Sequence, residues 1–140
     1  MKLTILKTLT LASLLAVPLA PAIFVTSASP AFAASALAAL DADKDGTVDL
    51  AEAKTAPSAL FDKLDVDHDG TLDHKELQGR VSEKDWATAD SDNDKTISKD
   101  EYLAFVEVAF KRADPDNDGT IDAKELQSPA GRALRRLLLK

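Results

Sequence analysis

The chain has no cysteine, and it has one methionine, one tryptophan and one tyrosine. Without cysteine there are no disulfides, thiolate metal sites or thiol nucleophile. Met1 is the only methionine, so a methionine-rich groove for a target helix cannot form. Five phenylalanines complete a sparse aromatic set, which excludes a large core. Positive charge is short as well, with 17 basic residues against 24 acidic ones. That balance excludes nucleic acid as a partner, because phosphate binding needs a basic face, and it favours cations. No Ser/His/Asp set and no phosphate-cradling glycine loop is present, so the chain reads as a non-enzyme.

Acidic residues are missing altogether before position 41. Residues 1–33 carry only Lys2 and Lys7, followed by an apolar stretch at 9–25 that Pro18 and Pro21 interrupt. Ala31, Phe32 and Ala33 then form a small-residue cleavage pattern before Ala34. This is the layout of a secretory signal peptide, and the prolines argue against a membrane anchor. The expectation is a leader at 1–33 and a single domain at 34–140, released into the periplasm without stable membrane insertion. Only two of the 17 basic residues precede the cut, so the remainder has 24 acids against 15 bases. A small exported domain without disulfides needs another staple, and a metal is the usual one.

The remainder repeats itself. Residues 41–52 read DADKDGTVDLAE, 65–76 DVDHDGTLDHKE, 90–101 DSDNDKTISKDE and 114–125 DPDNDGTIDAKE. The starts lie 24, 25 and 24 residues apart. Each segment follows D-x-[DN]-x-[DN]-G-x5-E, the EF-hand calcium loop, except at position 6 of the third.

A hard cation takes about six to eight oxygens, and the spacing supplies them. Positions 1, 3 and 5 are Asp41, Asp43 and Asp45; Asp65, Asp67 and Asp69; Asp90, Asp92 and Asp94; and Asp114, Asp116 and Asp118. Position 7 offers the carbonyl of Thr47, Thr71, Thr96 or Thr120. Position 9 adds Asp49, Asp73, Ser98 or Asp122, directly or through water, and these residues can equally cap the following helix. Position 12 supplies a bidentate carboxylate from Glu52, Glu76, Glu101 or Glu125. Nineteen of the 24 acids stand at these positions, which a merely solvated acidic surface does not explain. Loop three departs twice. Lys95 replaces the position-6 glycine of Gly46, Gly70 and Gly119, and Ser98 leaves four carboxylates where the other loops have five. Both changes make site three the weakest.

The fold class expected is all-α, a compact EF-hand protein with four metal loops, short helices and short inter-loop β contacts. Position 8 is aliphatic in every loop (Val48, Leu72, Ile97 and Ile121), as paired loops require. Only 12, 13 and 12 residues separate successive loops, so helices are short or shared between neighbours. Pro57 is expected to break the segment after loop one, with Ser58 capping a new helix through Leu60, Phe61 and Leu64. Gly79 ends the next helix and Ser82 starts another. Residues 99–113 read as the longest helix, with Tyr102, Phe105, Val106, Ala109 and Phe110 on its apolar face. Ser128 and Pro129 open a last helix. Leu77, Trp86, Leu103, Leu126, Leu134 and Leu137 complete the core, and Trp86 also brings an indole near loop three. His68 and His74, at positions 4 and 10, are expected to face solvent. Arg132, Arg135, Arg136 and Lys140 are expected to stay solvated on a packed terminal helix.

With its four closely spaced loops and position-9 aspartates, the sequence resembles the lanmodulin family of periplasmic lanthanide-binding proteins. FDKLD at 61–65, GRVSE at 79–83, DEYLA at 100–104 and SPAG at 128–131 carry the likeness beyond the loops. The resemblance implies no enzymatic activity. It implies selective binding of lanthanide(III) ions with metal-coupled folding, a role in lanthanide uptake or trafficking, and pairing of loops two with three and one with four. It names no protein partner for delivery. Family loops often carry proline at position 2; here only Pro115 does, while Ala42, Val66 and Ser91 hold the other places. The rival reading is a periplasmic calcium (Ca2+) buffer or sensor built on the same carboxylates.

Overall fold

The computed structural model describes residues 30–140; residues 1–29, most of the expected leader, lie outside the described region. The chain runs α1 (Pro30–Leu40), β1 (Val48–Asp49), α2 (Leu50–Leu64), β2 (Thr71–Leu72), α3 (His74–Leu77) and α4 (Glu83–Ala89). It continues β3 (Ile97–Ser98), α5 (Lys99–Ala113), β4 (Thr120–Ile121), a single 3₁₀ turn (Glu125–Gln127) and α6 (Pro129–Leu138). The expected cleavage point falls within α1. No helix of the described residues is long and apolar enough to cross a membrane.

Each strand is two residues of a loop. β1 pairs with β4, setting Val48 against Ile121, and β2 pairs with β3, setting Leu72 against Ile97. All four aliphatic side chains are buried. Loop one is thus back to back with loop four and loop two with loop three, as the resemblance implies. The shared helices are α2, between loops one and two, and α5, between loops three and four.

Pro57 does not break the chain. α2 runs 15 residues through it, and Ser58 lies inside the helix. A mid-helix proline costs about 3 kcal/mol in a bare helix. Here the ring continues the buried stripe Ala53, Pro57, Leu60, Phe61 and Leu64, so packing against α5 outweighs the lost hydrogen bond. α2 equals α5 in length, so residues 99–113 are not alone as the longest helix. α3 stops at Leu77, where Gln78 turns left-handed (φ 37°) ahead of Gly79. Ser82 caps α4 and Ser128 caps α6, as expected. Leu103 is only half-buried; the other expected core residues are buried.

α5 packs against both α2 and α6. Arg136 and Arg132 point outward from α6, whose Leu134, Leu137 and Leu138 are buried. Gly131 is required there, because a Cβ would fall on the Glu125 carbonyl and 2.6 Å from the Leu126 Cα. The last carbonyls of a helix lack intrahelical donors. Side chains supply them here: the fully buried Tyr102 hydroxyl donates to the Leu137 carbonyl at 2.8 Å, and Arg80 Nη1 donates to those of Arg136 and Leu139 at 2.7 Å. Burial pushes the Tyr102 phenol up to about 12, so it stays a donor. Tyr102→Phe is expected to lower folding stability by about 1–2 kcal/mol, since it strands a buried carbonyl. Urea unfolding of the folded form measures this, and no change would remove the capping role.

Candidate metal centre

Each loop begins where a helix ends. The N–H of Asp41, Asp65, Asp90 and Asp114 bonds the last turn of the preceding helix, to Leu37, Phe61, Trp86 and Phe110 respectively. This tucks the position-1 carboxylate under the loop. Asp65, Asp90 and Asp114 are the buried charged residues among those described, at 7%, 5% and 6% exposure. A buried carboxylate is costly unless it is bonded. In loops one, two and four, one oxygen accepts the position-5 N–H (3.1–3.3 Å) and the other the Gly N–H at position 6 (3.0–3.1 Å). In loop three Lys95 N–H still reaches Asp90 Oδ2 at 3.1 Å, but Asp90 Oδ1 is buried without a hydrogen-bond partner.

The threonines do more than offer a carbonyl. In every loop the position-7 N–H and hydroxyl both donate to one oxygen of the position-5 Asp, within 2.9 Å. This fixes the carboxylate rotamer and lowers the Asp45 pKa, the Thr47 hydroxyl acting first and its amide second. Sequence reasoning missed this role, although threonine at position 7 of all four repeats was its signal. The position-9 residue and the position-12 Glu exchange bonds as a capping box in loops one, two and three, and the same two bonds join Asp122 to Glu125.

One oxygen from each of Asp41, Asp43 and Asp45 lies within 4.8 Å of the others, and the same holds for Asp90, Asp92 and Asp94 and for Asp114, Asp116 and Asp118. In loop two the trio is Asp65, Asp67 and Glu76. Charge accumulates accordingly. The Asp45 amide draws the Asp43 pKa down, but desolvation and the carboxylates of Asp45, Glu52 and Asp41 leave it raised overall. An all-oxygen, all-anionic donor set of this kind suits a hard cation.

Left-handed backbone recurs at two positions. Position 6 has φ of 94°, 87°, 75° and 89° at Gly46, Gly70, Lys95 and Gly119. A Cβ at any of the three glycines would meet nothing within 4 Å. Lys95 therefore fits, and its penalty is backbone strain rather than a clash. Position 4 is left-handed as well, at Lys44, His68, Asn93 and Asn117, a feature sequence reasoning did not anticipate.

Position 2 separates loop four from the rest. The N–H of Ala42, Val66 and Ser91 donates to Oε1 of the position-12 Glu at 2.7–2.9 Å, and the Ser91 hydroxyl adds a bond at 2.8 Å. Pro115 has no N–H to give. Glu101 is desolvated, yet its bonds from Ser98 and Ser91 outweigh that and hold it down at about 2. Glu125 is desolvated too. It keeps the Asp122 amide but is repelled by Asp122, Asp116 and Asp114, and its pKa is raised. Both oxygens of the Glu101 carboxylate are engaged by donors of its own loop, whereas Glu125 accepts from the Asp122 amide through one oxygen and has the other left for an ion.

His68 is exposed, as expected. His74 is exposed too, but its ring stacks on Trp86 with centroids 3.5 Å apart and planes at 17°. The indole therefore lies against the exit of loop two as well as ahead of loop three.

The family model described as EF hand matches residues 32–54, 58–82 and 105–128, just over half of the chain. These ranges take in loops one, two and four; loop three lies outside them. Lanmodulin of Methylorubrum extorquens (strain AM1) is 62% identical over 64 residues, covering 41% of this chain and 48% of that protein. The chain thus matches about half the length of this curated relative.

Two expected outcomes rank the sites. Pro115→Ala restores an amide that competes for Glu125 and loosens the unbound loop, so site four should weaken by about 1 kcal/mol, roughly fivefold. Calorimetric titration checks this, and tighter binding would refute it. Site three should fill last. Emission from terbium sensitised by Trp86 should rise in two stages, site two and then site three. Lys95→Gly should bring the second stage forward by about 1 kcal/mol of relieved strain. An unchanged late stage would overturn the ranking.

Proposed function

We propose, from the premise that the chain belongs to the EF-hand family, that it binds trivalent lanthanide ions in the periplasm through its four loops. One observation carries the metal reading. Every carboxylate in an ion pair among the described residues lies outside the loops: Asp62, Glu83, Asp85 and Glu107. Among the described residues none of the 19 loop carboxylates is in one of these ion pairs, although Lys75 and His74 help lower Asp73 from nearby. Backbone amides and hydroxyls do most of the holding and leave most of the loop charge without an ion-pair partner, which is a demand for a bound cation. The buried, partnerless Asp90 Oδ1 points the same way, even in the loop least like the others.

In this reading the ligands are the carboxylates at positions 1, 3, 5 and 12, with the carbonyl at position 7 and the residue at position 9. Attraction to five carboxylates grows with the charge of the ion, and so does the cost of stripping its water. A high carboxylate count strengthens calcium binding too. The preference for lanthanides therefore rests on the likeness to lanmodulin in the loop spacing, the position-9 aspartates and the connecting segments. The leader at 1–33 supports export, and uptake or trafficking of the ion is the role that fits a non-enzyme with four such loops.

Binding is coupled to folding. The core is small, and the loops press like charges together at both ends of it. Ion binding then supplies folding free energy. Circular dichroism at buffered free metal tests both parts. Lanthanum should induce helix at free concentrations orders of magnitude below those calcium requires, and a chelator should reverse it. A helical signal indifferent to chelator would remove the coupling. Equal potency of calcium would replace lanthanide binding with calcium buffering.

A further inference from the structure

A cleft of about 640 Å3 opens at the C-terminal end of α6. Ala36 and Ala39 of α1, Gln78 and Arg80 of the segment between α3 and α4, and Arg136 and Lys140 line it, with Arg135 and Leu139 beside them. Among the described residues no acidic side chain lines it, in a chain where acids outnumber bases 24 to 17. None of the ion pairs among the described residues uses Arg80, Arg136 or Lys140.

The cations are placed rather than scattered. Arg80 is half-buried, and its Nη1 is fixed by the carbonyls of Arg136 and Leu139 at 2.7 Å. That holds the guanidinium in place among the residues lining the cleft, and a guanidinium so held can match a carboxylate or phosphate group with its remaining donors. Gln78, Arg80 and Lys140 also line an adjoining cleft of about 410 Å3 that adds Lys63 and Lys75 and ends at Glu76. The positive strip therefore extends beyond one pocket, which focuses its field on an approaching anion. Ala36, Ala39 and Leu139 give the first cleft an apolar wall, which a carbon skeleton can cover and a bare inorganic ion cannot. A bilayer is the poorer fit. The surface is concave, and Leu134, Leu137 and Leu138 of α6 are buried and have nothing to insert.

We propose that this cleft binds a small organic polyanion, carrying two or three carboxylate or phosphate groups on a short skeleton. The inference is independent of which ion fills the loops.

The test is calorimetric titration of the full chain, at the metal loading that gives its full helical signal. The probes are tricarballylate, glycerol 2-phosphate and inorganic phosphate. Vesicles of phosphatidylglycerol are examined by co-sedimentation. One-to-one binding of either organic anion is expected, tighter than inorganic phosphate and weakened by added salt. The tighter of the two organic probes identifies carboxylate or phosphate as the group recognised. Arg136→Glu should weaken it by about tenfold or more. Lys84→Glu, also exposed but outside the cleft, should not. Arg80 is left intact because it also caps α6. The metal titration of Arg136→Glu should match that of the unaltered chain, which separates this site from the loops. No saturable heat, heat that survives Arg136→Glu, equal binding of inorganic phosphate, or binding to vesicles alone would each overturn the proposal.

Discussion

Two antiparallel contacts of two residues each decide where everything else goes. Val48 against Ile121 and Leu72 against Ile97 set loops one and four at one end of the molecule and loops two and three at the other. α2 must then run from the first pair to the second, and α5 must run back. The side chains agree with that antiparallel path. Lys54, early in α2, meets Glu107 midway along α5 at 2.8 Å, while Asp62, late in α2, meets Lys99 at the start of α5 at 2.9 Å. Phe61 and Tyr102 pack with ring centroids 6.0 Å apart between them. The short spacing of the loops is what makes this arrangement work, because one 15-residue helix serves as the exit of one loop and the entry of the next.

Acids are sorted by role. Outside the loops, Glu107 is held down at about 2 chiefly by Lys54 and then by Lys111, both within hydrogen-bonding distance. Asp85 is lowered first by the Ser82 hydroxyl and then by Arg112. Inside the loops, neutral N–H and O–H groups do most of the holding, and desolvation, followed by neighbouring carboxylates, raises Asp43 and Glu125. A side-chain cation in a loop would have to be displaced by an arriving ion, whereas a backbone amide can keep its bond to one lone pair while another faces the ion.

Most of this was legible from the residues because the loop pattern is a chemical requirement written at fixed positions. Four aliphatic residues at position 8 announced the strand contacts, and Ser82, Ser128 and Pro129 announced helix starts by local capping chemistry. Pro57 misled because its local meaning is helix-breaking, while its place on the buried stripe of α2 is a tertiary fact. His74 is exposed as its loop position implies, but its stacking partner was not legible: the Trp86 ring lies 12 positions away and reaches it only once α4 is docked. The amide at position 2 was invisible as a donor, since every residue but proline has one. Only Pro115, by lacking it, marks what the other three loops contain.

The same sorting explains where the basic residues went. If the loops are to keep their charge for an ion, most lysines and arginines must be committed elsewhere, even though Lys44 and Lys95 stand in the loops and Lys75 helps lower Asp73. Lys54, Lys99, Lys111 and Arg112 are committed to acids on the helices. Arg80 is committed to the carbonyl end of α6, where a cation also meets the negative end of the helix dipole. Arg136 and Lys140 sit beside it at that end. Concentrating positive charge there reduces the repulsion that the acidic loops impose on the whole molecule, without neutralising any ligand. A basic cleft on an acidic protein is thus a consequence of reserving the loops, and it leaves one region of the surface suited to anions.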